Sequence, residues 1–259
     1  MKIVKDTNEK YHSSPAISAS GLKSIWLTSV YDYNRQVWED KPAYRMGNMI
    51  HEMILEPEEF KKNYSFCLEK IDKRTKEGKA KYAQLVKENE GTELVTVDDS
   101  KILLGIKETF FSDDEQSKIA LEYLKGEAEV SHYLKYKGVD VRVRPDMKGK
   151  DFISDIKTTT FDSTKAIDYQ IKNTIKYFGY HLQATFYSDM LGYDPANFRF
   201  IWVEKKAPFR VIVSALSDEM ISEGRMGYER ALKDWKTYLD TGYEQRFRFK
   251  KSSDGALLT

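Results

Sequence analysis

The chain is short of cysteine, short of proline, and without an excess of charge of either sign. Its one cysteine, Cys67, cannot close an internal disulfide, which fits a reducing compartment. Six prolines and 14 glycines in 259 residues are too few for a collagenous or linker-like composition, and no internal repeat is evident. No apolar run approaches the length of a bilayer span. The first residues, MKIVKDTNEKYHSS, also lack the apolar stretch of a secretory signal, so a cytoplasmic protein with no membrane partner is expected. The 42 Lys+Arg against 41 Asp+Glu leave a formal charge of +1. That balance argues against bulk affinity for polyanions but leaves room for a basic groove beside an acidic site.

What is present is enough chain to bury a sizeable core. One domain over 1–259 is expected, with a helical N-terminal part at about 15–125 and a sheet-bearing core at about 126–240. Ser18 and Ser20 are candidate caps before GLKSIWLTSVYDYNRQVW, whose apolar residues recur every three or four positions as in a helix. MGNMIHEMILEPEEF is also helical in pattern and should end near Pro57. His51 follows Gly47 by four, which places both on one helix face with room beside the imidazole. Residues 69–92 read as a solvated arm followed by a surface helix. DSKILLGIKETFFSDDEQSKIALEYL is helical with a break around Ser112 to Asp114.

In AEVSHYLKYKGVDVRVRPD, Lys137-Gly138 separates two segments of strand character, so a hairpin is expected. DFISDIKT supplies a third strand after a short MKGK turn. IKYFGYHLQATFYSDML reads as one amphipathic helix, FRFIWVEK and FRVIVSAL as a second hairpin around KKAP, and SDEMISEGRMGYERALKDWKTYL as a closing helix.

Chemistry concentrates in VRVRPDMKGKDFISDIKTTT, residues 141–160. In a strand, alternate side chains share a face, so Asp155 and Lys157 point one way while Phe152, Ser154 and Ile156 point the other and can pack under a helix. Pro145 stops the preceding strand beside Asp146, which lets the two carboxylates converge. Two acids at an open cleft suit a hard cation such as Mg²⁺, and a nitrogen from His51 would let Mn²⁺ substitute. Such an ion polarises a phosphorus–oxygen bond and acidifies water, and Lys157 would orient or deprotonate that water. Arg142 and Arg144 share strand parity with Asp146 and could meet phosphates. A lone D-x-K in a hairpin is most often a surface salt bridge; it is the surrounding residues that favour chemistry here.

Taken in order, GNMIHEMILEP, AEVSHYL, RVRPD, SDIKTT and GYHLQATFY resemble the PD-(D/E)XK nuclease superfamily. The resemblance is specifically to the RecE-type, lambda-exonuclease-like enzymes of phage and prophage recombination systems, and it runs from about Ile17 to about Trp235. It implies an α/β (α+β), restriction-endonuclease-like core with a central mixed five-stranded sheet flanked by helices. It further implies that His51, Asp146, Asp155 and Ile156 make the metal site and that Lys157 serves the attacking water. Gln183 and Tyr187, as a Q-x-x-x-Y element on one helix face, would assist, with Glu129 as an outer metal ligand and Arg74, Thr75 and Lys76 as a phosphate-gripping loop. His132 and His181 are left as structural or surface residues.

The implied activity is Mg²⁺-dependent digestion of double-stranded DNA ends from 5′ to 3′, leaving 3′ single-stranded tails. The implied assembly is a ring of three or four copies acting with a single-strand annealing protein in the cytoplasm of a bacterium or phage-infected host. An endonuclease on the same core and a non-catalytic DNA-binding module are the rival readings.

Overall fold

The computed structural model describes residues 1–37, 42–67 and 69–246. At its centre, strand Ile153–Thr159 pairs in parallel with Phe198–Glu204, and the crossover between them carries helices Ile167–Phe178 and Tyr180–Leu191. A parallel pair requires such a crossover, because no tight turn can return the chain in the same direction. Val211–Ser214 extends one side antiparallel. Met147–Lys148 and Glu127–Ala128 extend the other, so the sheet is mixed and five-stranded as expected.

Its membership differs from the sequence reading. The hairpin Ser131–Tyr136/Val139–Val143 turns at Lys137 and Gly138, both at positive φ, but it belongs to a separate four-stranded sheet with Lys2–Val4 and Ile17–Ser18. Pro145 explains the switch: it has no N–H to continue the ladder, the chain bends through Asp146, and pairing resumes at Met147 on the central sheet. The short strands were missed because two or three residues carry no readable alternation. The same holds for the parallel pair Tyr64–Phe66 and Glu93–Val95.

Two expected helices are divided, and a third ends near Pro57 as expected. The first runs Ala19–Leu27, capped by Ser18, and restarts as Val30–Arg35, where the Ser29 hydroxyl accepts from Asp32 N at 3.0 Å. Trp38, at the end of the expected segment, lies outside the described residues. Helix Pro42–Leu55 ends before Pro57, which then occupies the first turn of a new helix, Pro57–Asn63, as its fixed φ and missing N–H allow. The 175–191 segment is broken at Gly179, which adopts φ 65° between its two helices. The break near Ser112, the surface helix Lys76–Glu88 and the closing helix Asp218–Thr241 match expectation.

The two central strands are walled by hydrophobic clusters on both faces. Ile153, Phe198, Phe200 and Trp202 pack with Leu22, Leu182, Tyr228 and Leu232 of the helices on one side. Ile156, Ile201 and Val203 pack on the other with Met49, Ile50, Leu103 and Ile106, so the N-terminal helices build directly on the sheet. Gly224 lets the closing helix approach helix Tyr180–Leu191: a Cβ there would lie 2.4 Å from the His181 carbonyl oxygen. Among the described residues no helix is long and apolar enough to cross a membrane.

Candidate active site

Strand parity places Asp155 and Lys157 on one face, opposite Phe200 and Trp202 of the neighbouring strand, while Ile156 is buried on the other. The Asp155 side chain is 2% exposed and that of Lys157 15%, and the two form an ion pair. Gln183, from the first turn of the helix after Gly179, joins them. Its Nε2 donates to Asp155 Oδ1 at 2.7 Å, and its Oε1 accepts from Lys157 Nζ at 3.3 Å. Burial by itself would lower the Lys157 pKa, but the carboxylates of Asp155 and Asp146 outweigh it and hold the ammonium above the ordinary lysine value.

Asp146 follows Pro145 and turns back on the same strand, accepting a 2.7 Å hydrogen bond from Ile156 N. In a strand the N–H and C=O of one residue leave on the same edge, so the Ile156 carbonyl emerges toward Asp146. The helix Pro42–Leu55 delivers His51, whose Nδ1 lies 3.3 Å from Asp146 Oδ2. Gly47 faces Thr158 of the strand, where a Cβ would make an ordinary 3.7 Å contact, so the imidazole does not depend on that glycine for space.

Glu129 completes the group: one ligand atom each from His51, Glu129 and Asp146 lie within 4.8 Å of one another. Glu129 sits at φ 54°, a conformation costly for a side-chain-bearing residue, next to the short strand Glu127–Ala128. Burial and then the neighbouring Asp146 raise its pKa, while burial and then Asp155 raise that of Asp146. Two oxygen ligands and one imidazole, with the acids crowded enough to retain protons, form a donor set that a divalent cation fits and would relieve of its like-charge stress.

These three residues open on a cleft of about 1430 Å³, which Tyr187, Arg142, Arg144, Tyr11 and Thr158 also line. Asp155, Lys157 and Gln183 are not among its lining residues and adjoin it through the hydrogen bond from Ile156 N to Asp146. Tyr187 is buried, and burial, reinforced by Tyr11, keeps its hydroxyl protonated.

The expected basic residues are placed differently. Arg142 is 8% exposed and donates to the backbone carbonyls of Ser14, Ala16 and His12, so its guanidinium fastens the N-terminal segment. Arg144 pairs with Glu129 at 2.9 Å, donates to Asn8 Oδ1 and lies 4.2 Å from the Tyr11 ring centroid. Arg74 is bound by Asp72, and Thr75 caps helix Lys76–Glu88 through a 2.9 Å bond from Gly78 N; neither these two nor Lys76 line the cleft. His132 and His181 are buried with their Nδ1 atoms on the carbonyls of Val130 and Ile175, in structural roles. Sequence reasoning missed Tyr11 and Asn8. They belong to a short helix, Asn8–Ser13, with no motif of its own, and only the unexplained pair Arg142 and Arg144 hinted that something must meet them.

The family model for a PDDEXK-like domain of unknown function (DUF3799) matches residues 18–244, and the chain belongs to that family. Its fold is therefore PD-(D/E)XK-like, in keeping with the D-x-K strand and the preceding Pro145-Asp146. Among solved structures, a protein from Eubacterium rectale described as "Putative exonuclease" is similar, with TM-score 0.59 and 15% identity over 94% of this chain and 90% of that one. No curated protein matches.

Proposed function

We propose that the chain is a metal-dependent 5′-to-3′ double-strand DNA exonuclease of a phage or prophage recombination system. The observation that carries the reading is the convergence of His51, Glu129 and Asp146 within 4.8 Å beside the linked trio Asp155, Lys157 and Gln183. His51, Asp146, Asp155 and the Ile156 carbonyl, with Glu129, would hold Mg²⁺ or Mn²⁺. The ion, when bound, supplies Lewis-acid polarisation of the phosphodiester and neutralises charge on its oxygens. Lys157, held as an ammonium, donates from Nζ and so orients the attacking water or a phosphate oxygen. Gln183 fixes the positions of Asp155 and Lys157, and Tyr187 helps wall the cleft.

The exonucleolytic, ring-forming and recombination parts of the reading rest on the order of the RecE-type motifs, GNMIHEMILEP through GYHLQATFY. A closed ring of three or four copies would confer processivity by topology, and the 3′ tail would pass to a single-strand annealing protein in the cytoplasm. The test is incubation of linear duplex, labelled at either end, with Mg²⁺, with Mn²⁺ and with chelator. Metal-dependent release of 5′ nucleotides with a surviving 3′ tail is expected. Cutting of a covalently closed circle at the same rate would instead make the protein an endonuclease.

A further inference from the structure

An aromatic run leads from the solvent to the site lysine. Tyr177 is 76% exposed and Phe178 47% exposed, both in the last turn of helix Ile167–Phe178, whose Ile171 and Ile175 already satisfy the core. Their rings meet edge to face at 4.9 Å, and Phe178 stacks on Tyr180 at 5.5 Å with 20° between planes. The Tyr180 ring in turn lies 4.5 Å from Lys157 Nζ and 4.9 Å from Lys23 Nζ. Lys23 forms no ion pair among the described residues, and burial, then the neighbouring Lys157, lower its pKa to about 8. Single exposed aromatics need no explanation, but a contiguous set ending at two ammonium groups does.

We infer that Tyr177, Phe178 and Tyr180, with Lys23, form a track that holds unpaired nucleotides of the DNA strand entering the site. The inference rests on the nuclease reading and deepens it. Bases offer flat faces that stack on such rings regardless of sequence, while their phosphates seek cations lacking a carboxylate partner. The track supplies both, in the order exposed ring, stacked ring, ammonium. It would let a frayed duplex end exchange base stacking in the helix for stacking on protein, which keeps the strand single as it reaches Lys157.

The test uses the full chain in chelator, so that binding is read without hydrolysis, with a fluorescein-labelled single-stranded oligonucleotide as probe. Tyr177→Ala/Phe178→Ala should weaken binding roughly 5- to 100-fold for each ring lost, with Tyr177→Phe/Phe178→Tyr restoring it. Tyr169→Ala, which removes another exposed aromatic of the same helix, should bind as wild type. Lys23→Gln should reduce the slope of log affinity against log salt by about one phosphate contact.

Wild-type protein that digests duplex in Mg²⁺, together with a double variant that binds the oligonucleotide unchanged, would overturn the track and leave the nuclease reading intact. A wild type that neither digests nor binds DNA would overturn both. A double variant with unaltered affinity but a changed subunit number by light scattering would make the aromatics a contact between copies and would also overturn it.

Discussion

The side-chain amide of Gln183 is oriented by Asp155: its nitrogen donates to Oδ1 at 2.7 Å, which leaves its oxygen turned toward Lys157. One amide thereby sets the spacing of an acid and an amine that strand parity only brings to the same face. Gln183→Ala should lower the single-turnover rate of duplex digestion about 10- to 100-fold, as loss of an orienting partner does. Asp155→Ala and Lys157→Ala should abolish digestion, and each strands the other charge of a buried pair, so the folded state should persist but lose about 3–5 kcal/mol of stability in urea. Gln183→Glu should do worse than Ala, because it sets a carboxylate against Asp155. Equal loss in Gln183→Ala and Lys157→Ala would mean that the amide takes part in the chemistry.

Asp146 has two tasks that substitution can separate. Asp146→Asn and Asp146→Ala both remove the charge offered to a cation, so both should lose Mg²⁺ binding by calorimetry and digestion with it. Only the Ala variant strands the Ile156 N–H, which should make it about 1–3 kcal/mol less stable than the Asn variant in urea. Identical urea midpoints would show that this hydrogen bond contributes nothing to the folded state.

Glu129 and Asp146 hold their protons more tightly folded than unfolded, with values of about 8 and about 6 against ordinary values of 4.5 and 3.8. Through these two carboxyls the folded state binds more protons, so their contribution to stability in chelator should fall as pH rises from about 4 through about 8. His12, His132 and His181, whose pKa burial lowers, work the other way. Mg²⁺ should reverse the upper part of that fall by taking the place of the protons. Thermal melts across this range would check it. Glu129→Gln should gain stability relative to wild type as pH rises through this range, and variant and wild-type profiles that run parallel in chelator would refute the assignment.

Arg142 serves the fold by donating to three backbone carbonyls of the N-terminal segment. Arg142→Ala should cost about 2 kcal/mol or more and leave the salt dependence of DNA binding unchanged. A slope reduced by about one contact would instead return this guanidinium to the phosphate-binding role its strand parity suggests.

The geometry of the site strand was legible because it depends on a period of two. That period put Asp155 and Lys157 together and sent Ile156 into the opposite cluster, and Pro145 marked where Asp146 must turn. Gln183 was legible only through the family motif, since nothing in its spacing from Gly179 says that a left-handed break will aim it at Lys157. Glu129, too, was legible only through the family resemblance, as an outer metal ligand: its neighbours form a two-residue strand, and its positive φ leaves no trace in the residue type. The arginines misled because parity gives the face a side chain leaves from and not what waits there. The partner of Arg142 is a set of backbone carbonyls, which no side-chain pattern records.

The alternation of Phe198, Phe200 and Trp202 with Ile201 and Val203 makes one strand a wall of both hydrophobic clusters, and Ile153 and Ile156 do the same for its neighbour. Neither cluster can therefore melt and leave the other enclosed. Warming should inactivate and denature the protein in one step, with no partly molten species that still cuts DNA and no cold, inactive intermediate awaiting repair.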